Sequence, residues 1–204
     1  MPKISLNSAK YLAAAHLKRQ WPDPLGAEVA FAGRSNVGKS SAINAITDHK
    51  GLAKTSKTPG RTQQIVFFEL NSGDRLVDLP GYGFAKVPPD VRRHWERTIM
   101  DYLQTREPLQ GLVLPMDIRH PLTPLDEQML QWCTAVDLPV YVLLTKADKL
   151  SRNKAGSALL QVRQQLRNYS VSGIQLFSAL KKQGVIEARE AILQFLEAAA
   201  TEEI

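Results

Sequence analysis

The segment GRSNVGKS, residues 33–40, decides the fold class of this chain because it matches the pattern G-x-x-x-x-G-K-[ST]. An apolar run, residues 29–32, precedes it and a helical pattern follows it, which is the context that the motif requires. Successive N–H groups of such a loop, together with the helix N-terminus, attract a phosphate group. Lys39 would place a cation beside the β- and γ-phosphates, and the Ser40 hydroxyl is a ligand for Mg2+. The segment therefore predicts a phosphate-binding loop, without separating GTP from ATP.

The composition is that of one globular domain with a sizeable core. The chain has 204 residues, of which 44% are hydrophobic and 23% charged. Its single cysteine, Cys133, excludes an internal disulfide and is expected to be a buried, inert thiol. No apolar run reaches the ~18 residues of a transmembrane helix, so we expect a cytoplasmic monomer without a membrane partner. The formal charge of +6 suits a polyanion such as RNA, and it also suits a nucleotide site alone or a role in solubility alone.

Short apolar runs alternate with longer amphipathic ones, which predicts an α/β fold. The predicted strands are residues 28–32, 64–70, 75–78, 112–117, 140–145 and 174–177. The predicted helices are residues 39–47, 89–105, 124–136, 153–169 and 185–200. We expect a mainly parallel six-stranded sheet with helices on both faces. The turn sequence at 71–74 predicts a hairpin and therefore one antiparallel edge strand.

Two segments fall outside this alternation. Residues 1–24 are expected to form an N-terminal arm or an appended helix, which Pro22 and Pro24 end, and residues 25–204 a single domain. Residues 51–62 are rich in Lys, Thr and Gly with almost nothing apolar, so they predict a mobile loop.

Two later motifs point to a guanine base. TKAD, residues 145–148, follows an apolar strand and matches [NT]-K-x-D, where the Asp148 carboxylate would accept hydrogen bonds from guanine N1–H and N2–H2. Adenine lacks that amine, and a carboxylate left unpaired is costly, so the discrimination is sharp. The stem of Lys146 can lie along the base and the ribose. The small residues Ser178 and Ala179 follow the last strand and allow a backbone N–H to approach guanine O6.

The segment DLPG, residues 78–81, would reach the metal and the γ-phosphate. Asp78 is expected to meet Mg2+ through a water molecule, and the Gly81 N–H to meet the γ-phosphate. A threonine of the mobile loop should complete the metal shell when GTP is bound. Thr62 is the preferred candidate because Pro59 and Gly60 bend the loop just before it, and Thr58 is the alternative. Loss of the γ-phosphate would release both loops.

The expected site residues all lie in these motifs or beside them. Nucleotide contacts are assigned to Gly33, Arg34, Ser35, Asn36, Val37, Gly38, Lys39, Ser40, Ser41, Gly60, Arg61, Thr62, Gln63, Gln64, Asp78, Leu79, Pro80, Gly81, Thr145, Lys146, Ala147, Asp148, Phe177, Ser178 and Ala179. The catalytic candidates are Lys39, Thr62, Gly81 and Asn36, and the Mg2+ ligands are Ser40, Thr62 and Asp78.

These elements occur in the order of a translation-factor-class G domain, and the sequence closely resembles the EngB (YihA/YsxC) family of bacterial GTPases. The matching segments are residues 33–41, 57–63, 78–83, 117–121 and 145–150. The resemblance implies a P-loop NTPase G domain that binds GTP and GDP and hydrolyses GTP with Mg2+. It also implies a part in large-ribosomal-subunit assembly and in normal cell division and septation, and it supports Thr62 as the switch threonine.

Two positions bear on the rate of hydrolysis. Tyr82 follows Gly81 where Ras-like GTPases place a water-orienting glutamine, so we expect slow intrinsic hydrolysis. Asn36 has two interpretations, because it suits a turn in the phosphate loop, and relatives with Asn at this position can use K+ in place of an arginine finger.

The partner is open to three interpretations. A GTPase switch would bind the large ribosomal subunit or its rRNA through the basic residues Lys54, Lys57, Arg92, Arg93, Arg97, Lys181 and Lys182. Arg92, Arg93 and Arg97, on the second predicted helix, could instead simply form the solvent-exposed face of that helix. A nucleotide kinase would need an acceptor pocket and no guanine motif, and a GTP-dependent membrane or division scaffold would need no ribosome.

Overall fold

The computed structural model describes residues 3–54, 64–83 and 89–198, and shows one seven-stranded sheet between two layers of helices. The strands are β1 (Lys10–Ala15), β2 (Glu28–Phe31), β3 (Ile65–Glu69), β4 (Arg75–Asp78), β5 (Leu109–Asp117), β6 (Val140–Thr145) and β7 (Val171–Leu176). The helices are α1 (Lys39–Thr47), α2 (Pro89–Thr105), α3 (Pro124–Ala135), α4 (Arg152–Gln165) and α5 (Val185–Ala198). The predicted elements are confirmed, with ends displaced by a few residues.

The sheet has the strand order β1-β3-β4-β2-β5-β6-β7. Strand β3 pairs antiparallel with both of its neighbours, and all other pairs are parallel. The hairpin predicted at 71–74 joins β3 to β4, where the Leu70 N–H donates to the Asp74 carbonyl over 2.8 Å. One antiparallel strand is therefore confirmed, but it does not lie at the edge.

The arm accounts for the difference, because β1 lies within it and takes the edge position beside β3. The expectation of six strands is wrong by this one strand. The segment Lys10–Ala15 is rich in alanine and does not look like a strand, but it covers the backbone edge that β3 would otherwise expose. Nothing helical beyond two short 3-10 turns lies in the described part of the arm. The domain boundary at residue 24 stays a prediction.

Each face of the sheet carries its own apolar core. One core packs α2, α3 and α4 against the sheet, and the other packs α1 and α5. Cys133 is fully buried in the first core, where burial raises the pKa of its thiol to about 12, as expected of an inert cysteine. In the described part of the chain, no helix combines the length and the hydropathy needed to cross a membrane.

Candidate nucleotide site

The phosphate loop takes its shape from backbone conformations that its sequence permits. Asn36 and Gly38 have positive φ angles, 63° and 102°, and asparagine and glycine tolerate this region best. A Cβ atom on Gly33 would lie 3.1 Å from the Val37 side chain and 3.3 Å from the Pro115 carbonyl, so the loop closes tightly there. The conformation of Asn36 supports its interpretation as a turn residue and does not test its role toward K+.

The DLPG segment lies directly against this loop. The Ser35 N–H donates to the Tyr82 carbonyl over 2.8 Å, and the Tyr82 N–H donates to the Gly33 carbonyl over 3.3 Å. A Cβ atom on Gly81 would come within 3.8 Å of Ser35. These contacts extend the pairing of β2 with β4 beyond both strands and place Gly81 beside the phosphate loop, while its contact with the γ-phosphate stays a prediction.

The guanine motif is tied to the same loop through two side chains. The buried Thr145 hydroxyl is 2.6 Å from the Val37 carbonyl and 3.0 Å from the Met116 carbonyl. The Lys146 ammonium donates to the Asn36 carbonyl over 2.7 Å. The predicted base-reading and phosphate-binding residues thus meet at one edge of the sheet.

Asp117, at the end of β5, belongs to this site although it was not predicted as a site residue. It pairs with Lys146 over 2.9 Å and with Arg119 through two hydrogen bonds of 2.9 and 2.7 Å. Burial raises the pKa of Asp117, but the hydrogen bonds from Arg119 and Lys146 outweigh it and hold this pKa well below its usual range. Asp117 is therefore ionised and fixes the Lys146 side chain between the loop and β5.

Lys39 and Asp78 form an ion pair at the mouth of the phosphate loop. Both side chains are largely buried, and Ser40 lies next to Lys39 in the first turn of α1. A lysine ammonium has three donors, so Lys39 can turn toward a phosphate group when Asp78 takes up another partner.

The oxygens of Ser40 and Asp78 are of the hard type that Mg2+ prefers, so the residues fit the metal. Within the described ranges, no group of three or more His, Cys, Asp or Glu side chains could hold a metal ion by itself. A cation at Asp78 and Ser40 would therefore need further oxygen ligands, such as those of a nucleotide.

Asp148 is oriented by the loop after β7. The buried Ser178 hydroxyl donates to the Asp148 carboxylate over 2.6 Å. This hydrogen bond lowers the pKa of Asp148, and the nearby Lys149 cation acts in the same direction. The Ser178 N–H is already bonded to the Gln183 carbonyl, which leaves Ala179 as the candidate donor to guanine O6.

Five apolar residues among the predicted contacts can reach a nucleotide only through their backbone, because their side chains are buried. They are Val37, Leu79, Pro80, Ala147 and Phe177. The Phe177 carbonyl accepts a hydrogen bond from the Ala147 N–H over 3.1 Å, and so joins the two base-reading loops. The backbone contribution of these positions explains why small or apolar residues suffice there.

Tyr82 turns into the protein interior, away from the phosphate loop. The residue is 8% exposed and packs in the core that contains α3. Burial raises the pKa of Tyr82 well above its usual value, and the nearby Asp126 carboxylate raises it further. The phenol is therefore neutral, and in this structure it is not placed to orient a water molecule at the γ-phosphate.

Other predicted residues lie elsewhere or outside the description. Gln64 is 2.8 Å from the His16 ring and so contacts the arm. Gly60, Arg61, Thr62 and Gln63, with the alternative Thr58 and the proposed RNA contact Lys57, lie outside the described residues. Of the other RNA candidates, the side chain of Arg92 is not described, and Lys54, Arg93, Arg97, Lys181 and Lys182 are exposed.

The chain matches the family model described as 50S ribosome-binding GTPase over residues 28–146. It is 54% identical over 190 residues to a probable GTP-binding protein EngB of Methylobacillus flagellatus, covering 93% of this chain and 92% of the relative. The chain belongs to the EngB family of GTP-binding proteins. A second EngB relative, from an Azoarcus species, is 57% identical over 183 residues, covering 89% of this chain and 88% of the relative.

Solved structures agree with the EngB fold. A crystal structure of a probable GTP-binding protein EngB superposes with a TM-score of 0.67 at 23% identity, covering 84% of this chain and all of that one. A variant of Aquifex aeolicus Era, bound to GDP and aluminium fluoride, gives the same TM-score at 22% identity, over 82% of this chain and 56% of Era. The expected α/β G-domain fold is thus confirmed for this EngB-family chain.

Proposed function

We propose that this protein is a slow, Mg2+-dependent GTPase that acts as a switch on the large ribosomal subunit. The observation that carries the proposal is the Lys146 bridge, in which one side chain contacts the Asn36 carbonyl and the Asp117 carboxylate. This bridge joins the base-reading motif to the phosphate loop, so base recognition and phosphate binding act as one unit. A nucleotide kinase would not need such a link to a guanine motif.

The chain's own residues divide the work. Asp148, oriented by Ser178, would read the guanine base, and the loop backbone with Lys39 would hold the phosphates. Ser40, Asp78 and Thr62 would hold Mg2+, which supplies charge neutralisation at the β- and γ-phosphates. To bind phosphate, the Lys39 ammonium leaves the Asp78 carboxylate, so ligand binding exchanges one ionic partner for another.

Hydrolysis is slow in this proposal because Tyr82 is buried and offers no group to the attacking water. Asn36 remains the candidate ligand for an activating K+ ion. Phosphate release should then be faster in K+ than in Na+ at equal ionic strength, with ribosomal subunits present. Equal rates in the two salts, with and without subunits, would remove the K+ role.

The family description supports the ribosomal partner, and the mildly basic charge is compatible with rRNA. A ribosomal partner also implies that the protein acts in the cytoplasm. The associated role in cell division and septation rests on the family resemblance alone.

Co-sedimentation with large ribosomal subunits tests the switch. The full chain should pellet more strongly with a non-hydrolysable GTP analogue than with GDP, because the γ-phosphate would order the loops beside the site. Lys39→Ala provides the control, since it should bind subunits equally under both nucleotides. Equal pelleting of the wild-type protein with the two nucleotides would contradict the switch.

A further inference from the structure

The basic charge of this chain is concentrated in one segment. Between Asp148 and Glu187 there is no acidic residue, and there are seven lysines and arginines: Lys149, Arg152, Lys154, Arg163, Arg167, Lys181 and Lys182. This local charge exceeds the net charge of the whole chain, +6, so the other residues together are close to neutral. The segment contains α4, β7 and the loop that follows.

The structure places two of these arginines at a cleft on the free edge of the sheet. Strand β7 is the last strand of the sheet, and a cleft of about 550 Å³ lies between it and the C-terminal half of α4. Arg163 and Arg167 line the cleft and are exposed. Among the described residues, no hydrogen bond or ion pair involves either guanidinium, whereas Lys149 and Lys182 each pair with an aspartate.

One tyrosine ring completes the cleft on the face that carries the arginines. Tyr169 is half-buried four residues after the end of α4, and its ring packs partly against the core that contains α4. Tyr141 lies across Gly173, where a Cβ atom would be 2.4 Å from the ring, but it packs against the other core, where its hydroxyl is 2.7 Å from Gln175. Burial and the nearby Glu187 and Glu190 carboxylates raise the pKa of Tyr141, so the acidic groups lie on that side of the sheet. Unpaired guanidinium groups beside an aromatic ring are the combination that binds the phosphates and the bases of single-stranded nucleic acid.

We propose that this cleft, which we call the β7 cleft, binds a single-stranded segment of RNA. The proposal rests on the proposed ribosomal function and adds a contact surface to it. Arg163 and Arg167 contact phosphates, and Tyr169 stacks on a base. The cleft involves the start of β7, whereas the guanine-reading residues follow its end. RNA binding in the β7 cleft is therefore independent of the bound nucleotide.

The test uses the full chain and a fluorescent single-stranded RNA of roughly eight nucleotides, a length typical of such sites. The double variant Arg163→Glu/Arg167→Glu should bind this RNA more weakly by the same factor with GDP and with a GTP analogue. Two phosphate contacts account for about a sevenfold loss of affinity between roughly 50 and 200 mM salt, and the variant should lack this part of the salt dependence. Wild-type affinity in the variant would overturn the proposal.

The matched control is Lys10→Glu/Arg19→Glu, the same charge change at the opposite edge of the sheet, where both residues are exposed. It should retain the wild-type RNA affinity apart from a small long-range effect, and an equal loss in both double variants would overturn the site. Tyr169→Leu should weaken binding while Tyr169→Phe should not, because phenylalanine keeps the stacking ring. Unchanged GDP affinity and melting temperature would show that the arginine variant is folded.

The subunit experiment separates this proposal from the switch. If the arginine variant loses subunit binding but keeps its affinity for the free RNA, a ribosomal protein occupies the β7 cleft and the RNA proposal is wrong. If wild-type binding to subunits does not depend on the nucleotide but the variant loses RNA affinity, the switch proposal is wrong and the RNA site in the β7 cleft is supported.

Discussion

The two ends of the central strand β2 carry two clusters of charged side chains with opposite properties. At its start, Glu28 is buried together with Arg75, Tyr102 and Arg106, and we call these four residues the Glu28 cluster. The Glu28 carboxylate accepts from Tyr102 over 2.6 Å, from Arg106 Nε over 2.9 Å and from Arg75 over 3.1 Å, with a further bond from Arg106. Both oxygens therefore have their hydrogen bonds satisfied within the protein.

The phosphate loop follows the end of β2, beside the ligand-edge cluster, which consists of Lys39, Asp78, Asp117 and Lys146. Lys39 has one described hydrogen-bond acceptor and Lys146 has two, whereas each ammonium group carries three donors. Both lysines can therefore also donate to a ligand. Charge and burial alone do not separate the two clusters, because Lys39 and Asp78 are also largely buried. The carboxylates separate them: Glu28 accepts four hydrogen bonds within the protein, whereas among the described residues Asp78 accepts from Lys39 alone and so has an oxygen available to a ligand.

The largest expected effect is on nucleotide affinity. Asp148→Asn should weaken GDP binding by roughly 10² to 10⁴, because two hydrogen bonds to a charged group are lost, and it should favour xanthosine diphosphate. The free energy of unfolding without nucleotide should stay close to that of the wild type. Fluorescent-nucleotide titration measures the first quantity, and urea denaturation the second.

The control for that variant is Asp137→Asn, which makes the same change at an exposed position with positive φ. It should bind GDP as the wild-type protein does. An unchanged guanine preference in Asp148→Asn would mean that this carboxylate does not read the base.

Glu28→Ala should show the opposite behaviour. It leaves two buried guanidinium groups without their carboxylate and should lower the free energy of unfolding by about 3–5 kcal/mol. The folded fraction should keep its GDP affinity, since the Glu28 cluster lies at the end of β2 opposite to the phosphate loop. Glu69→Ala, an exposed glutamate on β3, should change the free energy of unfolding by at most about 0.5 kcal/mol. A GDP affinity that falls along with stability would show that the two clusters are coupled.

The smallest expected effect concerns Ser178, which lowers the pKa of Asp148 through its hydrogen bond. A lowered pKa keeps the carboxylate ionised as the pH falls, so Ser178→Ala should raise this pKa and shift the acid loss of GDP affinity to higher pH. At pH 7 the variant should bind GDP only about two- to tenfold more weakly. Ser157→Ala on the exposed side of α4 is the control, and superimposable pH profiles of the Ser178 variant and the wild type would contradict this role.

Most of the site could be predicted because each motif is local and follows a strand. Residues 33–40, 78–81 and 145–148 carry their own turn residues and charges, and parallel strands bring their carboxyl ends to one edge. Asp117 lies in the family-matching segment 117–121 but was not assigned to the site, because an aspartate after an apolar run does not by itself indicate which residue it contacts. Its role depends on β5 lying between β2 and β6, which only the strand order shows. Strand β1 was missed for a similar reason, since its pairing with β3 overrides an alanine-rich sequence.

The central claim is that the phosphate loop and the guanine motif form one site that binds phosphate and guanine together. Competition against a bound fluorescent GDP tests this claim most directly. GTP and GDP should displace the label at similar low concentrations, and ATP should fail to do so at concentrations where both succeed. Displacement by ATP as effective as that by GTP would contradict the account, because a site in which the Asp148 carboxylate reads the base has no reason to accept adenine.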